Sequence, residues 1–321
     1  MPLKDQIDLS IVIVTYKSKE HISGCIQSIY GAAQGLSFEI IIVDNNSGDG
    51  LVDLIRDEFP DIILVENKEN EGFSRGVNKG VGLASGVYLG ILNPDAQLHK
   101  NCFNTLLNFI KGNPLASVIG ARTVDEVGRS IPSYRSLPHI GNIIKYPISL
   151  LLQERRLKKP RRYLLDIWGQ SETIDVTNYN GYIIGACMLM RLDFFKKMGM
   201  FDTRYFLYAE DADFGFRIKQ AGYHAFLVSE ASATHKVGRS ASENPLSQLY
   251  AVESYLNYIH KNFTFVHGAV YKTCYFSFIL GWTLRAWLRM GRNETRILLK
   301  ALRCFIPTWL GGPNRLPKTN G

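Results

Sequence analysis

Leu9-Ser-Ile-Val-Ile-Val-Thr15 is a seven-residue run with polar side chains only at Ser10 and Thr15. A strand with one wet face alternates polar and apolar; a continuous apolar run marks a strand covered on both faces. The pattern repeats along the chain. Ile22 to Ile29 has helical spacing, Glu39-Ile-Ile-Ile-Val-Asp44 is a second strand, and Gly50 to Phe59 is helical again. Ile62-Ile-Leu-Val65 reads as a third strand, Gly72 to Ala84 as a helix, and Val87-Tyr-Leu-Gly-Ile-Leu92 as a fourth strand. Buried strands alternating with helices predict an α/β fold with a mostly parallel central sheet flanked by helices. Ligands of such sheets sit at the carboxyl ends of the strands. Those ends carry Thr15-Tyr16, Asp44-Asn45-Asn46 and Asn93-Pro94-Asp95.

Farther along, residues 96–122 predict a helix and a strand over Ser117–Ala121. Residues 123–172 are an irregular, Pro-interrupted insertion holding the basic run Arg155–Arg162. That run suits either a solvated loop or contact with lipid or acceptor. Tyr182–Met190 predicts a strand, Leu192–Met198 a short helix, and a second helix begins near Asp211. From Leu246 to Phe305 the spacing is helical throughout.

The 321 residues suffice for one large core plus an appendage, and 46% apolar content marks a globular chain. Five scattered cysteines (25, 102, 187, 274 and 304) without metal spacing predict reduced, intracellular thiols, and no secretory signal is legible. The net charge of +8 is uneven: residues 263–321 hold nine Lys/Arg against Glu294 alone, which leaves residues 1–262 neutral. The division predicted is therefore a main body over 1–262 and a basic helical tail over 263–321. A neutral body argues against a nucleic-acid partner, and a basic tail suits a local anionic one.

Several clusters carry chemistry. Asp44, just past a buried strand, suits hydrogen bonding to a nucleobase, and Asn46 stands in the same turn; an Asx-rich turn needs no ligand at all. Gly72 opens a helix whose N-terminus favours a diphosphate, with Arg75 and Asn78 following on its surface. Asp95 is a hard-cation ligand or part of a Pro-Asp turn. Glu210, Asp211 and Asp213 follow the aromatic residues Tyr205, Phe206 and Tyr208 and open a helix. Acids cap helices, but a carboxylate in such a pocket also accepts a proton from a hydroxyl. Arg217, four residues after Asp213, is read as its ion-pair partner. His235 gains interest as a second metal ligand.

In order, these stretches resemble family-2 glycosyltransferases of the rhamnosyltransferase-like branch. The matching residues are Ser10–Tyr16, Val43–Ser47, Asn70-x-Gly-Phe-Ser74 with Asn78 and Gly80, and Leu92–Ala96. Gly185-Ala-Cys-Met-Leu, Phe201-Asp202, Phe206-x-Tyr-x-Glu-Asp-x-Asp213 with Arg217, and His235 with Gly238 and Ser240 complete the set. The resemblance spans about residues 8–260. It implies a GT-A fold, inverting transfer from a nucleotide-sugar donor, and a divalent metal, Mg2+ or Mn2+. It implies donor binding by Thr15, Tyr16, Asp44, Asn46, Gly72, Arg75, Asn78, Asn93 and Asp95, with Asn93 where the family's first metal-site aspartate stands. Asp211 matches the catalytic base, Asp95 and His235 match metal ligands, and Glu210, Asp213 and Tyr208 fall on the acceptor side. The branch favours L-rhamnose from dTDP-rhamnose, and a glycan or lipid-linked acceptor in cell-surface polysaccharide or glycolipid synthesis.

Three rivals are separable. A nucleotidyltransferase would carry a Gly-rich first loop, and Thr15-Tyr-Lys-Ser18 is not one. A decayed glycan-binding scaffold would not be expected to keep Asp95, Asp211 and His235 together. A processive membrane synthase needs apolar spans of about 20 residues, and Thr273–Leu284 provides only 12 uncharged positions. In the tail, Arg285, Arg289, Arg292, Arg296, Lys300 and Arg303 recur at helical steps. The stripe is either a solvated helix face or an interfacial helix on anionic lipid. The second reading places the protein in the cytoplasm, peripheral on the inner face of the cell membrane.

Overall fold

The computed structural model describes residues 6–138, 172–236 and 245–289. By packing, the chain divides into two units. The first is Met1–Leu137, Asp166–Thr203 and Glu210–Ser240; the second is Pro138–Leu165, Arg204–Ala209 and Ala241–Gly321.

The first unit begins with the alternation that the sequence predicts: β1 (Leu9–Thr15), α1 (Lys19–Ala32), β2 (Phe38–Asp44), α2 (Leu51–Glu58), β3 (Ile63–Glu66), α3 (Phe73–Val81) and β4 (Tyr88–Leu92). It continues with β5 (Ala96–Leu98), α4 (Cys102–Gly112), β6 (Ala116–Val124), β7 (Tyr134–Ser136), β8 (Ile174–Asp175), β9 (Gly181–Ile183) and β10 (Cys187–Arg191). Last come α5 (Leu192–Lys197), α6 (Glu210–Gln220) and β11 (His224–His235). Nine strands form one sheet in the order β3-β2-β1-β4-β10-β6-β11-β5, with β8 paired to β11. The β3-β2-β1-β4 half is parallel, while β10 runs antiparallel to both β4 and β6. This is the α/β arrangement, mostly parallel and flanked by helices, that the alternation of strands and helices predicts.

The run Leu9–Thr15 is fully covered because each face has its own layer. Leu9, Ile11 and Ile13 join a core with Ile22, Cys25 and Ile26 of α1 and Phe103 and Leu106 of α4. Val12 and Val14 point the other way, into a core with Val77, Val81, Phe195 and Phe214. Helix α3 approaches β1 closely because its facing residues are glycines. A Cβ on Gly76 would stand 2.7 Å from Val14 Cγ1, and one on Gly80 2.6 Å from Val12 Cγ1.

Successive strands β1, β2 and β3 build outward, and β4 returns to the opposite side of β1. That reversal opens a crevice at the carboxyl ends of β1 and β4. Thr15 and Asn93 stand at its two lips.

Several elements depart from the sequence reading. Strand β11, the longest at 12 residues, was not predicted. After Val228 it continues as Ser-Glu-Ala-Ser-Ala-Thr, a stretch of weak β propensity, and its neighbours β6, β5 and β8 hold it extended. Its pairing with β6 steps from Val228–Ala121 to Ser232–Arg122, so Ser229, Glu230 and Ala231 fall between successive registered pairs. The single strand expected over Tyr182–Met190 is two. Strand β9 pairs with β7 in a separate two-stranded sheet, β10 joins the main sheet, and Ile184–Ala186 turns between them. Short β5 was hidden inside a segment read only as helix and strand.

In the second unit, α7 (Pro245–Asn262) and α8 (Phe265–Arg289) are two helices where the spacing suggested one. Ile259 and Tyr271 are buried between them, with Phe263 and Cys274 packed alongside. Phe206 stacks on Tyr250 with ring centroids 4.5 Å apart, and Ser254 Oγ donates to the Leu207 carbonyl at 2.8 Å. The packing boundary thus falls ahead of α7, whereas the charge boundary falls at 262/263; they mark different properties of the chain. No helix among the described residues is long and apolar enough to cross a membrane. Arg155–Arg162, Gly238, Ser240, Arg292, Arg296, Lys300 and Arg303 lie outside the described residues.

Candidate active site

The crevice has three polar groups along its rim, all built on the first unit. The first joins the ends of β1 and β2. Thr15 and Asp44 are register partners, and Thr15 Oγ1 donates to Asp44 Oδ1 at 2.9 Å. The Ser47 amide donates to Oδ2 at 2.9 Å and the Ser47 hydroxyl bonds Oδ1. A carboxylate has about four acceptor positions, so these three donors leave one for a ligand. Asp44 is buried, and the donors fix its plane. Tyr16 follows, partly exposed, and Lys17 takes the left-handed conformation with its amide on Ser47 Oγ at 2.9 Å.

The neighbouring asparagines divide their work in a way the sequence did not reveal. Asn46, the residue singled out for the donor, sits exposed in a left-handed turn at φ +58° with its amide on the Lys68 carbonyl. Buried Asn45 is the hub. Its Oδ1 accepts from Asn67 Nδ2 at 2.8 Å and from the Glu71 amide at 3.3 Å, and its Nδ2 donates to the Gly72 carbonyl at 3.1 Å. Lys79 closes the network on Asn67 and Glu71. The signal in the sequence was the pair Asn45 and Asn67 at consecutive strand exits.

Gly72 caps α3 at φ +86°, a backbone that favours glycine. Arg75 is exposed in the first turn. Asn78, placed in the donor set by resemblance, has its amide taken up elsewhere. It donates to the Phe201 carbonyl at 2.8 Å and accepts the Phe201 amide at 3.2 Å. That geometry makes Asn78 a clamp on the segment after α5.

The second group lies past β4. Strand β5 pairs with the end of β11, with His235 opposite Ala96. This brings His235 Nε2 to 3.1 Å from Asp95 Oδ1 and 3.5 Å from Asn93 Nδ2. Among the described residues no group of three or more His, Cys, Asp or Glu is arranged to hold a metal ion. One carboxylate and one imidazole converging beside an amide are donors that a divalent cation would accept. Cys25 lies beneath, its thiol donating to the Asn93 carbonyl at 3.5 Å. Burial first, then the charge of Asp95, pushes that thiol far up, so it stays protonated and is no ligand.

The third group opens α6. Asp211 Oδ2 accepts the Gly185 amide at 3.2 Å and Oδ1 accepts the Ala212 amide at 2.8 Å. Desolvation raises its pKa; the two amides and the charge of Arg135 pull the other way and lose. Asp211 remains partly exposed, so it is both desolvated and reachable. Glu210 is 5% exposed, and among the described residues its Oε2 has no hydrogen-bond partner. Burial and then the neighbouring Asp211 charge hold it well above the usual carboxylate range. Tyr208 and Ala209, just before, are both left-handed at φ +69° and +64°. Such non-glycine geometry costs about 1–3 kcal/mol each.

Asp213, expected on the acceptor side, is wholly buried. Arg217 Nε donates to its Oδ2 at 2.9 Å, and the guanidinium also caps the Met198 and Met200 carbonyls. The pairing read from the i, i+4 spacing is present, and it places Asp213 in the scaffold.

The turn Ile184–Ala186 joins the second and third groups. Its Gly185 amide holds Asp211, and its Ala186 carbonyl accepts the Asn93 amide at 3.0 Å. Two consecutive residues thus bind the carboxylate at one side of the crevice to the segment that carries Asp95 at the other.

The family model described as glycosyl transferase family 2 matches residues 10–199. The N-acetylglucosaminyl-diphospho-decaprenol L-rhamnosyltransferase of Mycobacterium tuberculosis is 26% identical over 293 residues, covering 88% of this chain and 91% of the relative. Mannosyltransferase PcManGT from Pyrobaculum calidifontis, solved with GDP-Man and Mn2+, superposes with a TM-score of 0.54 at 15% identity, covering 96% of this chain and 84% of that one. S. aureus TarS 1–349, solved with UDP-GlcNAc, gives 0.54 at 17% identity, covering 94% and 81%.

Proposed function

The chain belongs to glycosyl transferase family 2, and from that premise we propose that it transfers L-rhamnose from dTDP-rhamnose, with inversion, to a lipid-linked N-acetylglucosaminyl diphosphate. It is a nucleotide-sugar-dependent glycosyltransferase of cell-surface glycan synthesis. The choice of sugar and acceptor rests on the mycobacterial relative, which aligns over nearly its whole length. Such an acceptor places the enzyme at the cytoplasmic face of the cell membrane.

The observation that carries the chemistry is Asp211, desolvated, partly exposed and oriented by two backbone amides. Asp211 takes the proton of the acceptor hydroxyl as its oxygen attacks the anomeric carbon. A pKa raised by desolvation makes it a stronger base than an ordinary aspartate. Thr15, Tyr16 and Asp44 bind the nucleoside, with the open acceptor position of Asp44 turned to the base. Gly72 and Arg75, at the N-terminus of α3, receive the diphosphate. Asn93, Asp95 and His235 would hold a divalent cation, Mg2+ or Mn2+, which supplies charge compensation for the departing diphosphate. Attack opposite the leaving group inverts the anomeric centre. Glu210, whose burial favours its protonated form, offers a hydrogen bond on the acceptor side, with Tyr208 beside it in sequence.

A donor screen tests this reading. The full chain is incubated with a short-chain lipid-linked N-acetylglucosaminyl diphosphate and, separately, dTDP-rhamnose, UDP-GlcNAc or GDP-mannose. Nucleoside diphosphate release with dTDP-rhamnose alone is expected. Release confined to another donor overturns the sugar. Pyrophosphate release from a sugar phosphate and a nucleoside triphosphate overturns the reaction class.

A further inference from the structure

Helix α8 has two unlike sides. Gly268 and Tyr271 are buried on one, against the Ile259 side of α7. On the other, Phe265 is 91% exposed and Val266 67%, with Ala269, Val270, Thr273, Ser277 and Leu280 also exposed. At about 100° per residue these seven share an arc of roughly 140°. No charged side chain lies among them. Phe265 and Val266 stand at the tip of the helical hairpin, where α8 begins after the two-residue link that follows α7.

The two hydroxyls on this face do not look for water. Thr273 Oγ1 donates to the Ala269 carbonyl and Ser277 Oγ to the Thr273 carbonyl, each at 2.9 Å. This i−4 pairing satisfies a hydroxyl within its own helix and slightly disfavours a helix in water. In an apolar medium the same pairing removes the penalty for an unmet hydroxyl.

Along the sequence, the segment that carries this face has charge of one sign. From Ser254 to Asn293 the chain contains no Asp or Glu, while Lys261, Lys272, Arg285, Arg289 and Arg292 fall in the same stretch. A second copy of this chain docked here would set like charges together. An anionic bilayer surface meets both features, the exposed apolar arc and the basic sequence of the segment that carries it.

We propose that the exposed face of α8, led by Phe265 and Val266, inserts into the interfacial layer of an anionic membrane with the helix lying along the surface. The inference deepens the lipid-linked-acceptor reading by naming the element that meets the bilayer. It differs from a purely electrostatic tail, because the apolar face and not the arginine stripe carries the contact.

The test uses the full chain and vesicles of equal parts phosphatidylglycerol and phosphatidylcholine, read by co-sedimentation. Wild type is expected to bind these vesicles and to bind pure phosphatidylcholine vesicles much less. Phe265→Ser/Val266→Ser should weaken binding about tenfold or more, as two exposed apolar side chains no longer leave water. Ala269→Glu, which sets a carboxylate in the middle of the face, should do the same. Both sites are exposed, so thermal melting should stay at the wild-type value. Wild-type vesicle affinity in either variant overturns the proposal. So does a wild-type dimer in sedimentation velocity that the double variant abolishes. Nucleotide release with a water-soluble acceptor should be unchanged in both variants, so loss of the transferase reading and loss of this one are told apart.

Discussion

The backbone amide of Gly185 donates to Asp211 Oδ2 across 3.2 Å, and the next residue, Ala186, accepts from the Asn93 amide. A carboxylate held at both oxygens has one orientation, which is what proton transfer to a positioned hydroxyl requires. Asp211→Asn keeps the shape and removes the basicity. The turnover rate should fall about 10²–10⁴-fold, with donor affinity by calorimetry unchanged. Near-normal turnover would remove Asp211 from the role of base.

The pH profile carries a second expectation. Asp211 must be ionised to act, and its pKa lies above the ordinary aspartate value. The acid limb of kcat/KM should therefore sit above that value. The Arg135 charge favours the ionised form. Arg135→Ala should move the limb to higher pH; a shift to lower pH, or none, would show that another group sets it.

Glu210 offers a prediction about stability. Its folded pKa is raised, so between the ordinary glutamate value and that raised value the folded state holds a proton that the unfolded state has released. Stability then falls as pH rises through this window, by about 1.4 kcal/mol per pH unit. Glu210→Gln cannot ionise. It should match wild type in acid and exceed it at neutral and higher pH, as read by chemical denaturation at several pH values. A parallel decline in both proteins would mean Glu210 is not the source.

For the Asp95–His235 pair the expected result is a change in metal requirement. After chelation, activity should return on titration with Mn2+. His235→Ala should need about 10–100-fold more Mn2+ for half-recovery, with its melting temperature close to wild type. A wild-type titration curve would place the ion elsewhere.

The contact between α3 and β1 is testable as packing. Gly76→Ala and Gly80→Ala put a methyl group within 2.7 Å and 2.6 Å of Val14 and Val12 side chains. Overpacking of this kind costs about 1–3 kcal/mol. Because Val14 precedes Thr15, nucleotide affinity should drop along with stability in urea denaturation. Unchanged stability would mean β1 yields easily.

The parallel half of the fold was legible because Ile11, Ile13, Val12 and Val14 are apolar on both faces, and the helices between the strands keep their period. Asp44, Asp95, Asp211 and His235 were legible as residues, and the Asp213–Arg217 pair as a spacing. What local sequence does not encode is which partner a polar side chain finds. Nothing around Asn78 signals Phe201, 123 residues away, and nothing distinguishes buried Asn45 from exposed Asn46. Strand β11 was missed for the same reason, since its Ser, Glu and Ala residues are extended by β6 and β5 and not by their own preference.

Between Val228 and Ser232 strand β11 advances four residues while β6 advances one. The surplus is odd, and side chains along a strand alternate faces. The irregularity is therefore a parity setting for everything downstream, including the residue opposite Ala96. Removing one residue from Ser229–Ala231 brings Lys236 to that place, an ammonium where His235 now meets Asp95. Adding one brings Thr234. In this segment single-residue insertions and deletions should be far less tolerated than substitutions.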